Sequence, residues 1–206
     1  MKKIVITIAR SYGSGGRTLG KLLAKEFGIA YYDRELLRMA SDESGVNIAL
    51  FGEADETSKG FSWLTGSKPY TGKVLTPDSP DYTSKDNLFA LQAELIKKLA
   101  DKESCVIIGR CADYVLKDRD DVLRLFFYAP LADCLKRAQD ISGEPEKELL
   151  KKIQRVDHYR SAYYKYYTGH EWNDTTNYDF CLNTSSMSYE KLVEVVKSYM
   201  EISGKL

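Results

Sequence analysis

The sequence predicts an α/β protein with a five-stranded parallel sheet and helices on both faces of that sheet. Short apolar runs rich in β-branched residues alternate along the chain with segments whose apolar residues recur at helical spacing. The apolar runs are nearly continuous, as expected of parallel strands that are buried on both faces. Because parallel neighbours are joined by right-handed crossovers, the intervening helices cover both faces of the sheet.

Five segments have the pattern of buried strands. The first is "KIVITIA", which precedes a glycine-rich loop, and the second is the short run "IAYYD". The later three combine β-branched, aromatic and leucine residues in the same way. The predicted strands are residues 3–9, 29–33, 105–110, 122–129 and 178–185.

The helices are predicted from apolar spacing and from their end signals. The first helix carries Leu19, Leu22, Leu23 and Phe27 on one face and ends at Gly28. The second, residues 34–45, ends at its own glycine. Further helices are predicted at residues 87–102, 112–116, 131–141, 144–167 and 189–202.

The 206 residues predict a single domain, residues 1–206, that contains one insertion. The insertion is assigned to residues 46–86, and its stretch from about 52 to 85 is rich in glycine, serine, threonine and proline. That stretch also holds Phe61, Trp63, Tyr70 and Tyr82. Since disordered segments are poor in aromatic residues, we expect a mobile insertion rather than disorder.

Charge and cysteine usage narrow the classes of function. Lysine plus arginine and aspartate plus glutamate number 30 each, which argues against nucleic acid as the main partner. No stretch is apolar enough to span a bilayer, and the amino terminus lacks the pattern of a signal peptide. The four cysteines have neither disulfide nor metal spacing, so we expect reduced thiols in the cytoplasm.

The stretch "ITIARSYGSGGRTLG" has the layout of a phosphate-binding loop between a strand and a helix. Its nucleotide-binding residues are predicted to be Gly13, Ser14, Gly15, Gly16, Arg17 and Thr18. Backbone N–H groups and a helix N-terminus would face phosphate oxygens there. Relative to G-x-x-x-x-G-K-[ST], serine replaces the first glycine and arginine the lysine, while Thr18 is placed to reach a magnesium ion. The alternative is an ordinary glycine-rich turn with a surface arginine.

Four stretches together resemble the cytidylate kinase-like proteins of bacteria, relatives of the P-loop nucleoside monophosphate kinases. They are the loop region, "CVIIGRCADYVL", "RVDHYRSAYY" and "YDFCLNTS". The resemblance implies a three-layer α/β/α P-loop kinase fold. It further implies ATP or a similar triphosphate, with Mg²⁺, as phosphate donor and a small phosphorylated acceptor such as CMP. A helical lid, residues 142–176, would close over the substrates.

The resemblance also assigns roles to single residues. Arg17, Asp33 and Arg160 are the implied catalytic residues, and Arg155, Asp157 and Arg160 belong to the lid. The acceptor-binding residues would be Asp33, Arg38, Arg110 and Arg137, with Arg34 assisting. Other interpretations stay open: Asp33 as a helix N-cap, Arg110 paired with Asp113, and Asp157 paired with Arg160 on a helix surface.

The tyrosines of the last predicted lid helix, residues 159–167, are denser than in cytidylate kinases. They would pack the lid onto its own domain, contact a second subunit in a homodimer, or stack on a base, and packing is the expected role. Cys111 and Ile153 depart from the cytidylate kinase pattern, so the acceptor is less well indicated than the phosphate machinery. Two rival functions follow: a non-catalytic nucleotide-binding module, and a kinase for a non-nucleotide acceptor.

Overall fold

The computed structural model describes residues 3–54 and 67–205. Its centre is a five-stranded parallel sheet with the strand order β2-β3-β1-β4-β5. The strands are β1 (Val5–Arg10), β2 (Ala30–Tyr32), β3 (Cys105–Ile108), β4 (Val122–Tyr128) and β5 (Phe180–Asn183). All five lie within the segments predicted as strands except for the last residue of β1, and the parallel sheet is confirmed.

Eight α-helices surround the sheet in the described part of the chain. They are α1 (Gly16–Phe27), α2 (Glu35–Ser44), α3 (Ile48–Ala54), α4 (Lys85–Lys102), α5 (Ala112–Val115), α6 (Leu131–Ser142), α7 (Glu146–Thr168) and α8 (Tyr189–Ile202). Gly28 and Gly45 follow α1 and α2 in the left-handed conformation, with φ of 63° and 72°, as predicted for C-caps. The sequence analysis missed α3 and the 3₁₀ turn Thr175–Asn177.

The two faces of the sheet bury separate apolar clusters, which makes the fold three-layered. Along β1, Val5 packs on the side of α2 and α4, whereas Ile6 and Ile8 pack on the side of α1 and α8. This division follows from the strand geometry, since successive side chains point to opposite faces. The central strand β1 is therefore covered by apolar side chains on both faces. The glycine-rich loop begins directly after its carboxyl end.

The tyrosine-rich helix α7 belongs to a third apolar cluster. Tyr163, Tyr164 and Tyr167 are buried there, and the Tyr167 ring stacks on Phe89 of α4 with centroids 3.9 Å apart. The expectation that these tyrosines pack α7 onto its own domain is confirmed. The second half of α7 is thus packed into the described core, and closure of the lid region over substrates stays a prediction.

The described part of the insertion is bound to this wall. The amides of Lys68 and Tyr70 donate to the carbonyls of Tyr166 and Tyr167, at 2.9 and 2.8 Å. The Tyr82 hydroxyl donates to the carbonyl of Ser44 at the end of α2 (2.9 Å). Phe61 and Trp63 lie outside the described residues, and the mobility of the insertion stays a prediction.

Two further expectations concern the cysteines and membrane-spanning helices. All four cysteines are free thiols, three of them buried. Among the described residues, the search for a helix long and apolar enough to cross a bilayer finds none.

Helix α8 offers a matched test of core packing. Met200 is fully buried against the sheet, whereas Ile202, two residues on, is 87% exposed. We expect Met200→Ala to lower the free energy of unfolding by about 2–5 kcal/mol because it leaves a cavity. Ile202→Ala should change it by less than about 0.5 kcal/mol. Chemical denaturation of both variants measures this, and equal losses would contradict the assigned packing.

Candidate active site

The glycine-rich loop, residues 11–18, requires glycine for both conformation and space. Gly13 and Gly15 are left-handed, with φ of 75° and 81°. A Cβ on Gly13 would lie 2.5 Å from the carbonyl oxygen of Cys134, and one on Gly15 would collide with the Tyr189 hydroxyl. The loop is therefore enclosed by the starts of α6 and α8, and larger residues have no room at these two positions.

The glycine-rich loop and the first turn of α1 line an open cavity of about 210 Å³. The amide of Leu19 donates to Gly15 O at 2.9 Å, so the amides before it in α1 have no carbonyl acceptor within the helix. Residues on three sides line the cavity: Ser11 to Gly13, Gly15 to Thr18, Arg137, Arg160 and Tyr189. A helix N-terminus that opens into a cavity with several arginines is suited to a polyanion.

Arg137 holds the loop from behind. Its Nη1 donates to the carbonyl of Ser14 (3.1 Å), and its Nη2 donates to the carbonyl of Thr184 (2.6 Å). The fully buried Thr184 hydroxyl donates to the same Ser14 carbonyl at 2.5 Å. Sequence analysis had grouped Arg137 with the acceptor-binding residues. The structure places it against the glycine-rich loop, and Thr184 was missed because nothing local marks a threonine after β5.

Asp157 and Arg160 hold the start of the loop. Both carboxylate oxygens of Asp157 accept from the amide of Tyr12, at 2.8 and 3.0 Å. Arg160 Nη1 donates to Asp157 (3.1 Å) and to the carbonyl of Arg10 (3.0 Å). Burial raises the pKa of Asp157, and the neighbouring Arg160 charge opposes that rise.

The three lid residues therefore occupy different environments. Arg160 is only 8% exposed and lines the cavity as an anchored group. The alternative of a pair on a helix surface is corrected, because Arg160 does pair with Asp157 but is buried at the loop. Asp157 is half-buried, and Arg155 is exposed on α7. Of the three, Asp157 and Arg160 reach the glycine-rich loop through the contacts above.

Arg17 and Asp33 form an ion pair across the edge of the site. Arg17 Nε lies 2.9 Å from Oδ2 of Asp33, and Nη2 donates to Oδ1 at 3.4 Å. The interpretation of Asp33 as a side-chain N-cap is wrong, because α2 begins without a side-chain cap. The carboxylate is instead directed at the loop arginine, which joins the carboxyl end of β2 to the start of α1.

The turn after β3 is strained where it presents Arg110. Gly109, Arg110 and Cys111 are left-handed in succession, with φ of 71°, 58° and 53°. For a non-glycine residue this conformation costs about 1–2 kcal/mol. The turn directs Arg110 Nη1 to the side-chain oxygen of Gln92 on α4, at 3.0 Å. Strain of this kind is often found at functional sites.

A small cavity of about 20 Å³ lies behind Arg110. Its wall contains Arg10 and Asp113, neither of which was predicted to line a site. Asp113 is buried and accepts from the Tyr164 hydroxyl at 2.6 Å. Burial raises the pKa of Asp113 to about 6. Arg10 was missed because the sequence pattern treats it as the last residue before a glycine-rich loop.

A larger cavity, of about 440 Å³, lies between the described end of the insertion, the start of α4 and the end of α7. Tyr70, Phe89 and Tyr167 form its aromatic wall, and Lys68 and Lys73 line it as cations. Phe89 is three residues from Gln92, the contact of Arg110, so Phe89 and Gln92 are one helical turn apart on α4. Arg38 is exposed on α2, outside the residues that line the three cavities described above.

The residues present fit a partial magnesium site. Thr18 is exposed at the cavity in the first turn of α1, and the Asp33 carboxylate is close by through its contact with Arg17. No cluster of three or more acidic, histidine or cysteine ligands occurs in the described chain. A hydroxyl with one carboxylate suits Mg²⁺, which keeps several waters and takes its other ligands from substrate phosphates.

Comparisons with known proteins agree with this geometry. The model of the Cytidylate kinase-like family matches residues 5–186. Cytidylate kinase of Pyrococcus horikoshii is 26% identical over 201 residues, which cover 97% of this chain and 89% of that protein. A solved structure from Eubacterium ventriosum superposes with a TM-score of 0.72 at 24% identity, covering 97% and 99% of the two chains. Shikimate kinase of Bacteroides thetaiotaomicron shares the fold, with a TM-score of 0.56, 15% identity and coverage of 96% and 98%.

We expect Asp157→Ala to release the start of the loop. The amide of Tyr12 loses its acceptor, and Arg160 loses a carboxylate in a buried site. The free energy of unfolding should fall by about 1.5–3 kcal/mol, and exchange of the Tyr12 amide should accelerate. Amide exchange and denaturation measure both. Asp118→Ala, at an exposed aspartate, is the matched control, and equal effects of the two variants would contradict the role of Asp157.

The buried Asp113 predicts a pH dependence of stability. Its pKa is raised in the folded chain to about 6, so the folded chain holds the proton longer than the unfolded one as pH rises. Its contribution is therefore largest below about pH 4 and declines until about pH 6, by up to about 3 kcal/mol. Asp113→Asn keeps an acceptor for Tyr164 and removes this decline.

The comparison is made by denaturation at several pH values between 4 and 7. Relative to wild type, Asp113→Asn should gain stability as pH rises, whereas the exposed Asp118→Asn should not. Parallel pH profiles for wild type and Asp113→Asn would show that residue 113 does not titrate in this way.

Proposed function

The chain belongs to the cytidylate kinase-like family, and from this premise we propose that it transfers the γ-phosphoryl group of ATP to a nucleoside monophosphate such as CMP. The observation that carries the proposal is the cavity at the glycine-rich loop, where the start of α1 and the arginines Arg10, Arg17, Arg137 and Arg160 meet. Phosphoryl transfer requires mainly such positioning and charge stabilisation.

In this proposal the loop binds the donor phosphates through its backbone. Gly13, Ser14, Gly15 and Gly16, with Thr18, form the cradle, and Arg137 and Thr184 keep its carbonyls directed away from the anion. Asp157 and Arg160 fix the start of the loop in the same way. The donor therefore meets N–H groups that are already arranged, which lowers the reorganisation needed in the transition state.

Arg17 and Asp33 exchange partners when substrates bind. In the structure Arg17 contacts Asp33, and a donor phosphate offers it a stronger, doubly charged partner. Arg17 then stabilises the transferring group, and Asp33 is released to orient the acceptor or to hold Mg²⁺ together with Thr18. When bound, Mg²⁺ supplies charge neutralisation at the phosphates. An acceptor phosphate is already ionised at neutral pH, so the reaction needs no general base; a hydroxyl acceptor would use Asp33.

The acceptor lies on the other side of the arginines. Arg110 binds its anionic group, helped by Arg34 and Arg38 at the start of α2. The larger cavity, with its aromatic wall and two lysines, accommodates the rest of the acceptor. The presence of a second cavity, lined by the helix α4 that also contacts Arg110, favours a two-substrate enzyme over a non-catalytic nucleotide-binding module.

The direct test is a coupled ATPase-type assay of the whole chain with ATP, Mg²⁺ and a panel of nucleoside monophosphates. We expect turnover with a pyrimidine monophosphate, with CMP the leading acceptor. Arg17→Ala should lower kcat by roughly a hundredfold, because it removes one charge-stabilising group. Arg17→Lys should not restore full activity, since lysine cannot match the two contacts of the planar guanidinium.

The exposed Lys102→Ala, at the last residue of α4 and outside the predicted lid, is the control and should retain wild-type kcat. Tight ATP binding without turnover on any monophosphate would favour the binding module. Turnover only with a small non-nucleotide acceptor would keep the kinase and replace the acceptor. Wild-type turnover in Arg17→Ala would remove Arg17 from the catalytic residues.

A further inference from the structure

We propose that Arg10, the last residue of β1, binds the phosphoryl group that passes from donor to acceptor, in place of the lysine that the glycine-rich loop lacks. The inference rests on the proposed kinase function and adds a residue that sequence reasoning did not assign to any role. It is carried by the path of the Arg10 side chain and by the two glycines that make room for it.

The Arg10 side chain runs from the glycine-rich loop to the turn after β3. A Cβ on Gly16 would lie 2.6 Å from Cβ of Arg10, and a Cβ on Gly109 would lie 2.5 Å from its Nη1. The stem therefore passes the first residue of α1, and the guanidinium lies at the turn that presents Arg110. Glycine at 16 and at 109 is what allows a long side chain to lie there.

The presence of glycine at position 16 is explained by the lack of space beside Arg10 rather than by its backbone conformation. Gly16 is the first residue of α1 and has a helical backbone, which any residue adopts. Glycine is a poor helix former, so its presence there needs another reason. The contact with Arg10 supplies one, because any side chain at position 16 would displace the arginine.

Arg10 lines both of the cavities that the reaction must connect. It contributes to the wall of the 210 Å³ cavity at the loop and to that of the 20 Å³ cavity behind Arg110. It is only 4% exposed, so its charge acts in a site with little water. A guanidinium between donor and acceptor sites meets the oxygens of a phosphoryl group in transit and can contact two of them at once.

The sequence is consistent with a relocated cation. The motif G-x-x-x-x-G-K fits the loop in a second register, one residue earlier than the register that places Arg17 at the lysine. In this second register Gly15 is the second glycine, position 10 corresponds to the first glycine and position 16 to the lysine. The chain has the reverse: arginine at 10 and glycine at 16. Since a Cβ at position 16 would lie 2.6 Å from Cβ of Arg10, the two positions compete for one space, and in this chain the cation in that space comes from the end of the strand.

The test places glycine at position 10 and lysine at position 16, as in the motif. Binding of inorganic tripolyphosphate is then measured by calorimetry. Arg10→Gly and Arg10→Ala should each weaken binding by about 10- to 100-fold. Arg10→Gly/Gly16→Lys should recover binding to within about tenfold of wild type. Arg10→Ala/Gly16→Lys should not, because the remaining Cβ at position 10 still occupies the space that the lysine stem needs.

The control is Arg119→Ala, an arginine that pairs with Asp101 and Asp121 and lines neither cavity; it should bind as wild type. If the Arg10→Ala chain does not fold, Arg10→Met, which keeps the apolar stem, replaces it. Wild-type affinity in Arg10→Gly or Arg10→Met overturns the proposal, as does an exchange variant that binds no better than Arg10→Gly.

The outcome is separable from that of the kinase proposal. Turnover on the monophosphate panel by the wild type, together with unchanged tripolyphosphate binding in Arg10→Gly, overturns only the role of Arg10. A wild-type chain that binds neither tripolyphosphate nor ATP overturns both.

Discussion

The site depends on one constraint: the glycine-rich loop must keep an open conformation at the cavity while its own polar backbone groups find partners elsewhere in the chain. Backbone polar groups that lack a partner away from water are costly, so the loop cannot keep this shape alone. Arg137 and Thr184 take the carbonyl of Ser14, and Asp157 takes the amide of Tyr12 at the start of the loop. These partners come from α6, the end of β5 and α7, so the conformation of the loop depends on three separate elements.

Charge is unevenly distributed over the molecule. The chain as a whole has no net charge, yet Arg10, Arg17, Arg137 and Arg160 line one cavity. Their carboxylate neighbours, Asp33 and Asp157, each accept from one of these arginines. The Arg17 side chain is 39% exposed where it meets Asp33, whereas Arg160 is 8% exposed. The cavity therefore combines an accessible cation with an anchored one.

Helix α7 connects this charged site to the apolar core. Asp157 and Arg160, near its middle, reach the glycine-rich loop, while Tyr163, Tyr164 and Tyr167 pack into the third cluster. The end of the helix also accepts hydrogen bonds from Lys68 and Tyr70 of the insertion. One helix thus spans the loop cavity, the Arg110 cavity and the larger cavity. The insertion and the glycine-rich loop are therefore attached to the same helix.

The sequence by itself determined the order of strands and helices, the parallel sheet and the glycine-rich loop. These follow from local periodicity and from glycine spacing, which are properties of neighbouring residues. Only the tertiary structure decided which side chains meet. Tyr12 and Asp157 are 145 residues apart, and Ser14 and Thr184 are 170 apart, so no local pattern relates them. The same reason explains why Arg17 proved to face Asp33, why Arg137 lies against the loop rather than beside Arg110, and why Arg10 was overlooked: the direction of a long side chain depends on the space that distant residues leave for it.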